Sequence, residues 1–272
     1  LKEFTIRSLY GALFVAVVIL AAGWHPAGLF LLLSFVLVAG LHEFYNLSFK
    51  LKAFPLKISG ILIAYSAFSI SFAAASGLVP QYSLNVIPAL ILLLPVIVLF
   101  YAPDTFLSSF ATTLAGIVYL ALPAALFPWL GYTNNVYDYR IPLGVFFIIW
   151  TYDSFAYLVG VLIGKNRMLP SISPKKSWEG FFGGLLLTVP LGWMLGKFWP
   201  VLSGTGWMLL VVLIVITGTL GDFVESALKR TAGLKDSGSF MPGHGGILDR
   251  FDSFLFAVPF VYLYLQIVNL LT

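Results

Sequence analysis

The chain of 272 residues contains no cysteine, which excludes a disulfide framework, a thiolate metal site and a cysteine nucleophile. Charge is almost as scarce. Only 10% of the residues are Asp, Glu, Lys or Arg, against roughly 25% in a soluble domain that must wet its surface. That deficit rules out an ordinary cytosolic enzyme, a coiled coil and a disordered chain together. Hydrophobic residues instead make up 60% of the chain and its mean hydropathy is +0.99, so its exterior faces lipid. The isoelectric point near 9.2 and the net charge of +4 have their simplest source in basic loops, and no nucleic-acid partner is expected.

Crossing a hydrocarbon core of roughly 30 Å takes about 20 apolar residues. Nine runs meet or approach that length: about 7–23, 26–47, 57–76, 84–102, 105–131, 141–164, 178–199, 205–228 and 249–271. The first follows Lys2 and Arg7 and ends at Ala21, Ala22 and Gly23, a layout that a secretory signal peptide shares. Loop charge favours a span. With the N-terminus inside, the cytoplasmic segments hold Lys2, Arg7, Lys50, Lys52, Lys57, Lys165, Arg167, Lys175, Lys176, Lys229, Arg230, Lys235 and Arg250, which is 13 of the 15 basic residues. Only Arg140 and Lys197 fall on the other side, the asymmetry expected of cytoplasmic loops. The expected fold is therefore all-α: a polytopic integral protein of the cell (inner) membrane with about nine transmembrane helices, a cytoplasmic N-terminus and an extracytoplasmic C-terminus.

Residues 1–140 read as a scaffold of about five spans, and residues 141–272 as a catalytic region of about four, with cytoplasmic loops 165–178 and 229–248. In the first part Pro80, Pro88, Pro95, Pro103, Pro123 and Pro128 mark helix ends or kinks. His42 and Glu43 read as a polar pair at the membrane surface. No internal repeat is evident, which weakens an inverted-repeat transporter.

The acidic residues are unevenly placed. Glu3, Glu43, Asp104, Asp138, Glu179 and Asp236 lie in or beside loops, whereas Asp153, Asp222, Glu225, Asp249 and Asp252 lie within spans or at their inner ends. A carboxylate in hydrocarbon costs at least about 2.5 kcal/mol, so it faces a polar cavity and has a partner. Asp222, Glu225, Ser226 and Lys229 follow at i, i+3, i+4 and i+7, one stripe of the eighth helix. Asp249 and Asp252 stand three apart at the start of the ninth. The short glycine-rich linker between the two helices predicts that their carboxylates face each other at the cytoplasmic surface. Buried ion pairs, Asp222 or Glu225 with Arg230 and Asp249 with Arg250, are the plainer explanation, but ion pairs need no linker of glycine and histidine.

Hard carboxylate oxygens without thiolates suit Mg2+, and Lys and Arg suit phosphate oxygens. Both together suit an anionic, metal-bound substrate, hence phosphoryl or nucleotidyl transfer. A phosphate-binding loop is missing: Gly160 to Gly164-Lys165 has three intervening residues instead of four, and Asn166 stands where Ser or Thr is required. Gly160/Gly164, Gly180/Gly184 and Gly192/Gly196 instead have the spacing of close helix packing, within the chain or across a homodimer.

The run Ser226-Ala227-Leu228-Lys229-Arg230, then Lys235-Asp236, then Pro242-Gly243-His244-Gly245-Gly246-Ile247-Leu248-Asp249-Arg250-Phe251-Asp252 resembles the signature of the phosphatidate cytidylyltransferase (CDP-diacylglycerol synthase) family. Ser173 to Gly180 and Asp153 to Tyr157 resemble further stretches of that family. Met241, where Leu, Ile or Phe is expected, is a conservative departure. The likeness is specific over about 150–252; the front half matches only as generic spans. The resemblance implies that CTP and phosphatidate, with Mg2+ and room for a second cation, give CDP-diacylglycerol and pyrophosphate at a cytoplasmic site in phospholipid biosynthesis.

On that reading Asp222 and Asp249 lead as metal ligands, with Glu225 and Asp252 as second choices. Lys229, Arg230, Lys235 and Arg250 would hold phosphates, and Ser226 would donate a hydrogen bond. His244 would bind phosphate or donate a proton, and Gly245 and Gly246 would let backbone N–H groups approach a phosphate. Lys175, Lys176, Ser177 and Glu179 would bind nucleotide or lipid headgroup, Asp236 would also contribute to substrate binding, and Asp153 would link to the site through the sixth span. A transporter would place its acids near the midplane in paired halves. A phosphatidyl-group transferase or a lipid kinase is the other alternative.

Overall fold

A computed structural model describes residues 2–51, 53–238 and 245–271, with side chains from residue 10 to residue 268 within those ranges. Among the described residues eight helical stretches are long and apolar enough to cross a membrane, so the chain is an α-helical, multi-pass membrane protein. A further helix, α1 (Lys2–Trp24), contributes a shorter apolar stretch, Tyr10–Trp24. The chain divides into two compact units, Leu1–Tyr139 with Thr231–Phe251, and Arg140–Arg230 with Asp252–Thr272.

In the first unit α2 (Pro26–Lys50) starts where its sequence says it should. Pro26 fills the first helical position, and His25 caps it through Nδ1, which accepts the Ala27 N–H at 3.1 Å. Helix α2 packs on α3 (Lys57–Ala75), where Phe30 stacks on buried Phe68 at 5.3 Å, and Leu29 and Leu33 of α2 are buried. Fully buried Tyr45 lies against Gly60 and Gly116 and donates to the Thr113 carbonyl at 3.0 Å. Helix α4 (Val86–Tyr101) follows, with Pro95 inside it.

The expected fifth span is not one continuous helix. It comprises α5 (Phe106–Gly116), a π-helical turn at Ile117–Ala121, α6 (Leu122–Leu126) and α7 (Pro128–Gly131). Pro123 and Pro128 each lack the N–H that would continue the ladder, and the backbone widens and breaks around them. The sequence also gave no sign of strands, yet β1 (Tyr132–Thr133) and β2 (Val136–Tyr137) form a hairpin. Its turn is Asn134-Asn135, both with positive φ (51° and 64°), the conformation that a two-residue hairpin requires and Asn tolerates.

The second unit begins with α8 (Arg140–Ile163). A second hairpin, β3 (Arg167–Leu169) and β4 (Ser173–Ser177), replaces the expected loop 165–178 and leads into α9 (Trp178–Phe198). The glycine pairs pack helices within the chain. A Cβ on Gly180 would stand 2.8 Å from the Ala156 carbonyl, and one on Gly184 would stand 2.9 Å from the Ala156 backbone, so α8 and α9 meet backbone to backbone. Gly196 likewise admits Gly204 at the start of α10 (Gly204–Thr231). Buried Trp207 of α10 donates Nε1–H to the Trp199 carbonyl at 3.1 Å. Phe146 of α8 stacks on Phe254 of α11 (Leu248–Leu271) at 4.9 Å.

Candidate active site

Two glycines bring the second unit's carboxylates together. A Cβ on Gly221 would fall 2.5 Å from the Phe256 Cβ and 2.6 Å from the Asp252 carbonyl, and Gly218 faces Ser253. Helices α10 and α11 therefore cross at a glycine that immediately precedes Asp222, which sets Asp222 near Asp252. One turn away the Thr219 hydroxyl meets the Tyr152 hydroxyl at 2.9 Å, tying α10 to α8 next to Asp153. Asp252 is within electrostatic reach of Asp222, Asp153 and Lys176. Three helices and one strand thus contribute three carboxylates and one ammonium to a single field.

Lys176 pairs directly with the Asp222 carboxylate and lies over the Phe223 ring at 5.2 Å. Its strand is fixed by short-range bonds. Arg167 Nη1 donates to the Lys175 carbonyl at 2.8 Å, and the Trp178 N–H to the Asn166 carbonyl at 2.9 Å. Glu179 accepts the Lys165 N–H at 3.1 Å and the Asn166 side-chain amide at 2.6 Å, so it organises the turn after α8. Ser177 caps α9, its Oγ accepting the Gly180 N–H at 3.1 Å. Lys175 is exposed. The hairpin is also held to the end of α10, where Arg230 Nε donates to the Ile172 carbonyl at 3.3 Å.

Further along α10, Glu225 and Lys229 form an i, i+4 pair at 2.6 Å, with Glu225 buried and Ser226 half-buried beside them. Lys176 thus pairs with Asp222 and Lys229 with Glu225. Asp222 is reached from the hairpin, which spacing along one helix does not reveal.

In the first unit a second network surrounds Asp249. Its Oδ2 accepts the Gly246 N–H at 2.7 Å and the Ser237 N–H at 2.9 Å, and faces the Ser237 hydroxyl at 2.9 Å. Glu43 lies opposite: Oε1 accepts the Ile247 N–H at 2.9 Å, and Oε2 faces the Leu248 N–H and the Ser237 hydroxyl, each at 3.0 Å. Glu43 is buried and His42 exposed, so the expectation of a polar pair at the surface fails for Glu43. Its charge is satisfied by the unpaired N–H groups that open α11.

The signature glycines make room for these carboxylates. A Cβ on Gly238 would stand 2.5 Å from Glu43 Oε1, and one on Gly246 would collide with Ser237 and Glu43. Gly245 has φ +81°, which favours glycine, and a Cβ there would stand 2.5 Å from Asp249 Oδ2. Gly246 N–H is thereby engaged by Asp249. Lys235 and Asp236 are exposed in the turn after α10, which Gly233 closes at φ +68°, and Arg250 is exposed on α11. His244 lies outside the described residues.

Sequence reasoning missed Glu43, Ser237, Gly218, Gly221 and the Tyr152–Thr219 bond. The one available signal was an acidic residue at the inner end of an apolar span, which Glu43 shares with the acids that were singled out.

Comparison with known proteins agrees with the signature. Proteins named phosphatidate cytidylyltransferase are similar to part of the chain: that of Staphylococcus epidermidis is 50% identical over 122 residues, covering 44% of this chain and 46% of that protein. That of Bacillus subtilis is 47% identical over 123 residues, covering 45% and 46%, and that of Staphylococcus aureus 49% over 121 residues, covering 43% and 45%. The matched stretch thus spans about half the length of these relatives. A profile of the Cytidylyltransferase family reaches much further, from residue 5 to residue 268. Matched over nearly its full length, the chain belongs to the cytidylyltransferase family.

Proposed function

We propose that the chain transfers CMP from CTP to phosphatidate, giving CDP-diacylglycerol and pyrophosphate. The observation that carries this reading is the Lys176–Asp222 ion pair beside the crossing of α10 and α11 at Gly221 and Asp252, set in a membrane protein of this family. We place the site at the cytoplasmic face of the cell membrane, in a chain of nine spans with its N-terminus inside. The basic residues of both hairpin and linker support that orientation.

The chemistry asks little of a general base. A phosphate monoester has a second pKa of about 6, so phosphatidate arrives mostly as a dianion. One of its oxygens attacks the α-phosphorus of CTP, a new P–O bond forms, and the bond to pyrophosphate breaks with its electrons staying on the leaving group. The barrier is dominated by repulsion between anions. Lys176 on the hairpin, with Lys229 and Arg230 on α10, would lower it by holding phosphate oxygens; in the first unit Lys235 and Arg250 are the candidates for that role. The Tyr152–Thr219 bond would keep α8 and α10 from spreading.

The donor set fits magnesium. Asp252 lies within electrostatic reach of Asp222, Asp153 and Lys176, and every available donor is a hard oxygen. Among the described residues no group of three or more His, Asp or Glu forms a ready protein cage, but Mg2+ usually takes one or two carboxylates and completes its shell with phosphates and water. In the second unit Asp222 would hold it, with Asp252 and Glu225 behind it; in the first unit Asp249 is the leading candidate ligand. When bound, the ion would offset charge on the triphosphate.

The test is direct. The purified chain, given CTP, phosphatidate and Mg2+, is expected to release pyrophosphate, to stop on adding EDTA and to resume with excess magnesium. Turnover with ATP but not CTP would point to a kinase instead.

A further inference from the structure

Resting on this reading of function, we propose that Glu43 is a positioning residue for the reaction, fixing Asp249 and the Gly245–Gly246 turn through Ser237 and the first turn of α11. Glu43 stands 194 residues from Ser237 and 205 from Leu248 in sequence, yet its carboxylate meets the Ser237 hydroxyl and the N–H groups that open α11. A buried carboxylate costs several kcal/mol unless it is hydrogen-bonded. Glu43 offsets that cost with the Ile247 and Leu248 N–H groups and the Ser237 hydroxyl. The positive end of a 24-residue helix adds to the stabilisation.

The arrangement does more than cap a helix. A serine hydroxyl carries one proton, and that of Ser237 lies between Glu43 Oε2 at 3.0 Å and Asp249 Oδ2 at 2.9 Å. Whichever carboxylate receives it, Ser237 sets the separation of the two. Gly238, Gly245 and Gly246 close the space around them, since a side chain at any of the three would strike Glu43, Ser237 or Asp249. An ordinary helix cap is local in sequence and needs one acceptor. This one spans the chain, uses two carboxylates and fixes a residue of the family-like signature. Outer partners of metal-binding carboxylates typically contribute 10–100-fold to affinity or activity, and Glu43 stands in that relation to Asp249.

The full chain, purified in detergent, is compared with Glu43→Gln and Ser237→Ala by two readouts: hydrogen exchange of the Ser237, Gly246, Ile247 and Leu248 amides, and kcat, the KM for phosphatidate and the Mg2+ concentration for half-maximal rate. Glu43→Gln is expected to speed exchange at Ile247 and Leu248, lower kcat about 10–100-fold and raise the Mg2+ requirement, with the phosphatidate KM unchanged. Ser237→Ala keeps every backbone donor, carries the test if Glu43→Gln does not fold, and is expected to shift the Mg2+ requirement in the same direction. Unchanged exchange, or faster exchange with unchanged kcat and Mg2+ requirement, would overturn the proposal. A wild-type chain without CTP turnover would instead sink the reading of function, and the exchange comparison alone would then decide whether Glu43 positions the turn.

Discussion

Asp222 and Lys176 carry the most specific residue-level expectation. Asp222→Asn keeps the shape and removes the charge, so pyrophosphate release should fall about 100-fold or more while the thermal melt stays close to that of wild type. Near-normal turnover would remove Asp222 as a ligand. The two neighbouring lysines should separate. Lys176 reaches Asp222, whereas the Lys175 side chain is exposed and its carbonyl accepts from Arg167. Lys176→Ala should therefore raise the KM for CTP well above the value for Lys175→Ala; equal small effects would favour general attraction to anionic lipid. At this scale the sequence was readable where charge is costly. Asp153, Asp222 and Asp252 stood out as acids in apolar runs, and Lys176 as a basic residue in a family-like stretch. Their pairing was not readable, because Lys176 comes from a hairpin 46 residues before its partner on α10. Glu43 shared the signal of the other acids and was misplaced because the N–H groups that satisfy it lie about 200 residues away.

At the scale of elements, the crossing of α10 and α11 depends on Gly221. Gly221→Val would press a branched side chain into Phe256 and the Asp252 carbonyl, at an expected loss of about 1–3 kcal/mol together with activity, read by thermal unfolding in detergent and by turnover. Full stability would show that the helices do not need this close approach. The long helices were legible from apolar run length; the Gly160/Gly164 and Gly180/Gly184 spacing announced close helix packing, but not that α8 packs on α9 within the chain. The hairpins were not. The Asn134-Asn135 turn joins strands of two residues, too short for alternation to register, and the Ser173–Ser177 strand is polar because it lies outside the apolar runs. The break around Pro123 was visible only as a proline, and a proline does not announce which neighbouring backbone will widen.

For the whole molecule, composition and loop charge already fixed the class, a multi-pass helical membrane protein, and the sidedness can be measured. The chain has no cysteine, so Asn134→Cys and Lys175→Cys each introduce a single thiol. A membrane-impermeant maleimide should label position 134 from outside intact cells and position 175 only after the membrane is opened. Labelling both from one side would overturn the proposed topology. The family profile covers residues 5–268, and the proposed chemistry turns on whether the α10 carboxylate binds a divalent ion. A titration of Mn2+, in place of Mg2+, followed by electron paramagnetic resonance measures this most directly. Wild-type protein should bind Mn2+ more tightly when CTP is present, and Asp222→Asn should weaken that binding at least tenfold. Equal Mn2+ affinity in the two proteins, with and without CTP, would contradict the proposed site.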